Sequence, residues 1–340
     1  MTVEIATELP CIDRREEVSA IRLNHIINDI RAWTSNSISR EDYVATLDQE
    51  ALNEIESFAE FIDSNPLPLL LRMPDQYSIP ALEQTMKHLK TRLINGPGFA
   101  VLNRLPMELL GNERAKALYW ILSQYVGRPV AQTWNGEVLF DVTDKGVERA
   151  IDLRPSYTND ELKFHTDNCF GIALPDYVGL ICLQPAKSGG ISRIFSCYTI
   201  HNMLLDAYPR LLKRLYQPVY FNRQREFEPG DARILYAPVF RWDGHSLNVR
   251  VNVNHIRSGY ELAEIDMDSE TSDAVDALDE VMTNEAIVVE MFLERGELQY
   301  LNNRSITHFR SRYEDFNDPQ KKRHLIRMWM RETGRPFYNG

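Results

Sequence analysis

The sequence predicts a mainly β core of jelly-roll type wrapped by helices, an α+β fold whose helices gather at the N-terminus and in insertions. Three observations carry this. The first 95 residues place apolar side chains at helical spacing. After Gly127 the pattern gives way to short β-prone runs separated by Gly, Pro, Asn and Asp. Helical stretches then interrupt the strands in blocks, instead of alternating one for one as βαβ units would.

In chain order, Val18, Ile21, Ile26, Ile30 and Trp33 recur near helical spacing and predict a first helix. Leu47, Ala51, Ile55, Phe58 and Ile62 predict a second. Ser78, Pro80 and Glu83 carry start signals for a third, with an apolar face of Leu82, Met86, Leu89 and Leu93 and an end at Gly96. Phe99 to Leu102 reads as the first strand, and a fourth helix runs from about Glu113 to Tyr125, stopping before Gly127 and Pro129. Short strands follow at Val138 to Val142, Tyr177 to Leu183, Ser192 to Ser196 and Ile234 to Tyr236. The clearest is Leu247 to Val253, where Leu247, Val249, Val251 and Val253 alternate with Asn248, Arg250 and Asn252. Helical patterns at Thr199 to Tyr216 and Thr271 to Asn284 break the series, which resumes at Ile287 to Leu293, Gln299 to Asn302 and Arg323 to Arg331. There is no internal repeat or convincing linker, so residues 1–340 read as one domain, with a helical region over 1–95 packed on a core over 96–335.

A formal charge of −11 opposes phosphate backbones, and no basic stripe with interleaved aromatics overrides it, so nucleic acid is excluded as a partner. The longest apolar runs, such as Leu67 to Leu71, fall far short of the roughly 20 residues of a membrane span. The N-terminus lacks the order of a secretory signal. Cys11, Cys169, Cys182 and Cys197 form no CxxC pair and suit reduced packing thiols in a cytoplasmic protein. Cys169 stands apart because it follows the metal motif below by two positions.

Phe164-His165-Thr166-Asp167-Asn168 offers an imidazole and a carboxylate two positions apart, which on an extended segment face the same way while Thr166 points elsewhere. A second histidine from a distant strand would complete a three-point face, leaving open positions on iron(II) for a bidentate co-substrate and oxygen. An isolated HxD pair is also an ordinary surface turn, so the context of the second histidine matters. Asn303-Arg304 leads to His308, and Arg323 to Arg331 follows, where alternation puts Arg323, Leu325, Arg327 and Trp329 on one face and His324, Ile326, Met328 and Met330 on the other. Two guanidinium groups beside apolar walls suit a dicarboxylate, because a buried Arg fork grips a carboxylate bidentately and keeps its charge. His201, His245, His255 and His324 lack this context and read as non-ligands.

Phe99 to Leu102, His165-Thr166-Asp167, Gly189-Gly190-Ile191-Ser192, Asn303-Arg304 with His308, and Arg323 with Arg327 occur in an order and spacing that resembles the taurine dioxygenase family, with its clavaminate-synthase-like relatives. The resemblance spans roughly residues 96–331 and implies a double-stranded β-helix, the cupin-like jelly roll. It implies that His165, Asp167 and His308 hold Fe(II), and that Arg323 binds the distal carboxylate of the co-substrate 2-oxoglutarate with a hydroxyl from Ser192, where the family usually has Thr. Arg327 would lie near the other carboxylate or an acidic group of the substrate. The loop over 317–322 and the long helical N-terminus depart from the basic pattern.

The activity implied by the resemblance is hydroxylation of an unactivated C–H bond of a small molecule by O2, with release of succinate and carbon dioxide. Desaturation or cyclisation would use the same parts. A carboxylate at Asp167, where related halogenases have a small residue, speaks against halogenation. Glu161, four residues before His165, suggests a cationic amine or amino acid as substrate, and Trp134 a wall of the entrance. Two other readings compete. His2Asp can also hold zinc in a hydrolase, which gives the paired arginines no work, and a non-catalytic barrel could bind a small acid as a sensor.

Overall fold

The computed structural model describes residues 12–13, 21–147, 155–224, 226–284 and 287–339. Three helices form its first layer: α1 (Gln49–Ser64), α2 (Pro80–Asn95) and α3 (Met107–Val126). The apolar faces read from the sequence are the buried ones, Ala51, Ile55, Phe58 and Ile62 on α1 and Leu82, Met86, Leu89 and Leu93 on α2. Asp48 caps α1 by accepting from the Ala51 amide. At the start of α2 the caps come from another helix: the Glu54 carboxylate accepts from the Ala81 and Leu82 amides, so the two helices are locked end to side.

These helices cover one face of a seven-stranded sheet that runs β1 (Phe99–Leu102), β8 (Leu298–Asn302), β5 (Tyr177–Gln184), β10 (His324–Arg331) and β2 (Arg128–Val130), with β3 (Leu139–Val142) also on β10 and Val44–Ala45 on β1. The opposing four-stranded sheet runs β7 (Val289–Met291), β6 (Ser192–Ser196), β9 (Ile306–Arg310) and β4 (Leu162–His165). Phe99, Val130, Val178, Leu301 and Trp329 from the first sheet meet Ile194, Val289 and Ile306 from the second in one buried cluster, which makes the pair a jelly-roll sandwich. Outside the smaller sheet, Phe164, Phe195 and Phe309 pack against a second helical layer built from α4 (Cys197–Ala207), α5 (Pro209–Leu215), α6 (Val253–Ala263) and α7 (Ser269–Met282). Strand alternation thus turns their neighbours His165 and His308 inward.

Three expectations need correction. The predicted first helix is absent over its described part, Val18 lying outside the described residues. From Ile21 the backbone bonds to other elements instead of to itself: Leu23 N–H donates to the Tyr216 hydroxyl, and the Asn202 amide both accepts from Ile27 N and donates to Ile27 O. Leu23, Ile27 and Trp33 are buried while Ile21, Ile26 and Ile30 are exposed, so the spacing marks anchor points of a strap. Leu247 to Val253 is paired as a strand only over Leu247–Val249, because Asn252 accepts from the Asn254 and His255 amides and starts α6. The helix expected over 199–216 is broken in two at Pro209, which has no N–H to continue the ladder.

Candidate metal centre and co-substrate site

On β4 and β9, His165 and His308 are directly opposite one another in the antiparallel ladder, and their rings lie 4.2 Å apart. Asp167 follows β4 and brings its Oδ1 to 3.4 Å from His165 Nε2 and 3.7 Å from His308 Nε2. All three ligand atoms fall within 4.8 Å of one another. A ferrous ion with bonds of about 2.1 Å at right angles separates its ligands by about 3 Å, so modest inward movement completes the three-point face. His165 Nδ1 faces the Lys163 carbonyl at 2.8 Å and must donate to it, which leaves the Nε2 lone pair for the ion.

The carboxylate is held from behind. Trp329 Nε1 donates to Asp167 Oδ2 at 2.7 Å and Arg327 Nη1 approaches the same oxygen at 3.2 Å. Burial opposes ionisation of Asp167, but Arg327 and the two histidines outweigh it and hold the carboxyl well below the usual range. Burial, then His165, pushes His308 down to about 3, so it stays neutral as a ligand must. Asn303 explains its own place in the motif: its Oδ1 accepts from the Asp167 amide at 2.7 Å and its Nδ2 donates to the Asp167 carbonyl at 2.9 Å. Thr166, between the ligands, points away to receive the Val251 amide.

Arg323, just before β10, and Arg327, on its inner face, are held differently. Arg327 lies between the rings of Phe140 and Trp329, 5.0 and 4.9 Å from their centres, and its Nε donates to Gln132. Arg323 is buried under Gly190, where a Cβ would sit 3.2 Å from its Nε; Gly189 and Gly190 have φ of 72° and 67°, and a Cβ at Gly189 would strike the Arg312 carbonyl. The Gly-Gly pair is therefore a steric requirement of this corner. Ser192 follows it, hydrogen-bonded to Gln299 and facing inward opposite Arg310.

Two sequence-based site residues are not brought here. Glu161 is exposed and lines a separate cleft with Lys163 and Arg193. The ladder slips between His308 and Arg310, so that Arg310 pairs with Leu162, and Leu162 replaces Glu161 beside the metal residues. Trp134 is 46% exposed in the turn between β2 and β3 and does not line the metal cleft. Residues that sequence reasoning passed over do: Ser156, Asn168, Gln224, Asn252 and His255. Burial pushes His255 down to about 3, so it faces the cleft neutral. Cys169 lines it too, its thiol pushed up by burial. His201 bonds Tyr216 and His324 bonds Asp141, as non-ligands. Cys11 lies outside the described residues.

Residues 65–329 match the family model described as taurine catabolism dioxygenase TauD, TfdA family. The chain is 29% identical over 257 residues to FR-33289 synthase of Streptomyces rubellomurinus, covering 72% of this chain and 73% of that one. It is 25% identical over 322 residues to the taurine hydroxylase-like protein SAT17 of Stachybotrys chartarum, covering 91% and 80%. In fold it is similar to asparagine oxygenase solved with Fe(II), 3-hydroxyasparagine and succinate (TM-score 0.64, 21% identity, 85% of this chain and 94% of that one). It is also similar to the non-heme iron oxygenase OrfP solved with iron and α-ketoglutaric acid (TM-score 0.62, 15% identity, the same coverage). With a metal-binding face of two histidines and a carboxylate inside this barrel, the chain belongs to the TauD/TfdA family and is an Fe(II)- and 2-oxoglutarate-dependent dioxygenase.

Proposed function

We propose that His165, Asp167 and His308 hold the iron, that Arg323 and Ser192 receive the distal carboxylate of 2-oxoglutarate, and that the enzyme hydroxylates a small acid whose acidic group pairs with Arg327. The observation that carries the substrate class is the lining of the cleft. Beside Arg327 it offers Ser156, Asn168, Gln224, Asn252 and neutral His255, and Asp167 is its one carboxylate among the described residues. Such a wall favours an anion with uncharged hydrogen-bonding groups, including a zwitterionic amino acid bound through its carboxylate, over a simple amine.

Iron with bound 2-oxoglutarate supplies the oxidative decarboxylation to succinate and carbon dioxide and the oxidant for the substrate C–H bond. The protein's part is positional. Trp329 occupies Asp167 Oδ2, Arg327 Nη1 spans both carboxylate oxygens from behind, Oδ1 faces the two histidines, and the aromatic pair around Arg327 fixes its fork. We take the chain as one catalytic unit, because the helices before β1 bury their apolar faces on the barrel. We place it in the cytosol, because Cys169, Cys182 and Cys197 are buried free thiols; among the described residues no helix is long and apolar enough to cross a membrane.

The test is a panel of small carboxylates, amino acids, sulfonates and phosphonates, each scored for stimulated succinate release and an added oxygen in the product. One acid should raise succinate release well above the uncoupled rate, and Arg327→Gln should remove that stimulation while 2-oxoglutarate still binds. Stimulation by amines alone would overturn the substrate class.

A further inference from the structure

Past His308, the next β9 side chain that points into the barrel is Arg310, opposite Ser192 on β6. Its Nη2 donates to the Thr158 carbonyl at 2.9 Å and to the Asp160 carbonyl, so one arm is anchored on the segment that leads into β4. Its Nε is enclosed and has no hydrogen-bond partner. Two neighbours are in the same condition, Arg323 Nη1 and the Tyr313 hydroxyl. Both guanidinium groups lie against the Tyr313 ring, Arg310 at 5.0 Å and Arg323 at 4.9 Å from its centre. All three residues are more than nine-tenths buried.

Three unsatisfied buried groups at one point are costly, and a folded protein keeps them together where a ligand completes them. The nearby acids do not satisfy these donors: Asp315 Oδ1 accepts the Arg323 backbone amide, Asp160 and Asp144 act on Arg310, and none of the three bonds Arg310 Nε or Arg323 Nη1. The spacing agrees. Two residues on a strand are about 6.6 Å apart, so an anion at Arg310 sits one five-carbon diacid away from a metal at His308.

We propose that Arg310, with the Tyr313 hydroxyl, forms a second arm beside Arg323 for the distal carboxylate of 2-oxoglutarate, and that its anchored arm ties this carboxylate to residues 158–160. The proposal rests on the reading that Arg323 receives that carboxylate. Binding, not turnover, tests it. The iron(II)-loaded enzyme is titrated without oxygen by calorimetry with 2-oxoglutarate and with 2-oxobutyrate, a keto acid lacking the distal carboxylate.

Wild type should prefer 2-oxoglutarate by about a hundredfold, and Arg310→Gln should weaken it about tenfold while leaving 2-oxobutyrate within about twofold. Tyr313→Phe, which deletes one oxygen and keeps the ring, should cost about threefold for 2-oxoglutarate alone and serves if Arg310→Gln folds poorly. Equal weakening of both keto acids, or of neither, overturns the proposal by making Arg310 a structural residue. Should Arg323→Gln erase the preference while the Arg310 and Tyr313 variants keep it, the Arg323 reading stands and this one fails. A wild type without preference sinks both.

Discussion

On one face of β10, Ile326, Met328 and Met330 pack into the cluster formed with α1, α2 and α3; on the other, Arg327 and Trp329 reach Asp167. Eight residues of one strand thus serve as outer wall and inner site, and period-two alternation keeps the duties apart. The apolar face is tolerant in kind, since any side chain of suitable volume fills it. The inner face is not, since each group there meets a particular atom. Stability and chemistry should therefore separate cleanly under substitution.

The largest effect tests the inner side at the metal. His308→Ala should lower turnover at least about a thousandfold, since iron with two protein ligands is neither held nor oriented, while the melting temperature moves by only a few degrees. Succinate release and a thermal melt check both halves. A cooperative loss of fold would break the separation, because it would make the ligand a core residue.

On the outer side, Met328 is fully buried, and Met328→Ala should cost about 2–5 kcal/mol in denaturant unfolding. In the folded fraction, affinity for 2-oxoglutarate should stay within about twofold of wild type. A shift in affinity larger than the shift in stability would show that the helical wall sets the site. Between these lies Trp329→Phe, which keeps an aromatic ring beside Arg327 but gives up the larger indole and its hydrogen bond to Asp167 Oδ2. Metal affinity by titration should fall about 10- to 100-fold, with a stability loss of about 1–2 kcal/mol for the buried volume removed. Unchanged affinity would leave Arg327 as the sole support of the carboxylate.

These contrasts also mark what was legible in the sequence. The alternation of β10 was, because past a register shift at His324 both faces keep strict phase through the six residues from Leu325 to Met330 beside β5. The metal residues were, because HxD needs only local geometry and His308 is fixed in register with His165. Glu161 was not, because one slipped pairing between β4 and β9 changes the phase, and nothing in Glu161-Leu162-Lys163 signals a bulge. Residues 21–33 misled for a related reason: apolar anchors on a strap and on a helix can share a spacing, and only the partners of the backbone tell them apart. Gln132, Gln224 and Asn252 are single polar residues far apart in the chain, brought to the site by tertiary structure alone.

The smallest effect separates two kinds of buried histidine as β10 separates two faces. His201 sits in the helical layer, fully buried, with Nε2 on the Tyr216 hydroxyl at 2.9 Å. Burial, then His25, pushes it down to about 4, below the unfolded value of about 6.5. The unfolded chain therefore binds a proton that the folded chain refuses between these values, so this contribution to stability is present above pH 6.5 and is lost as acid approaches pH 4. From pH 7 to pH 5 the loss should be about 1–2 kcal/mol, and His201→Gln, which keeps a partner for Tyr216, should flatten that part of the curve. Urea unfolding at a series of pH values measures it. An unaltered slope in the variant would assign the acid sensitivity to other groups, His255 at the cleft first among them.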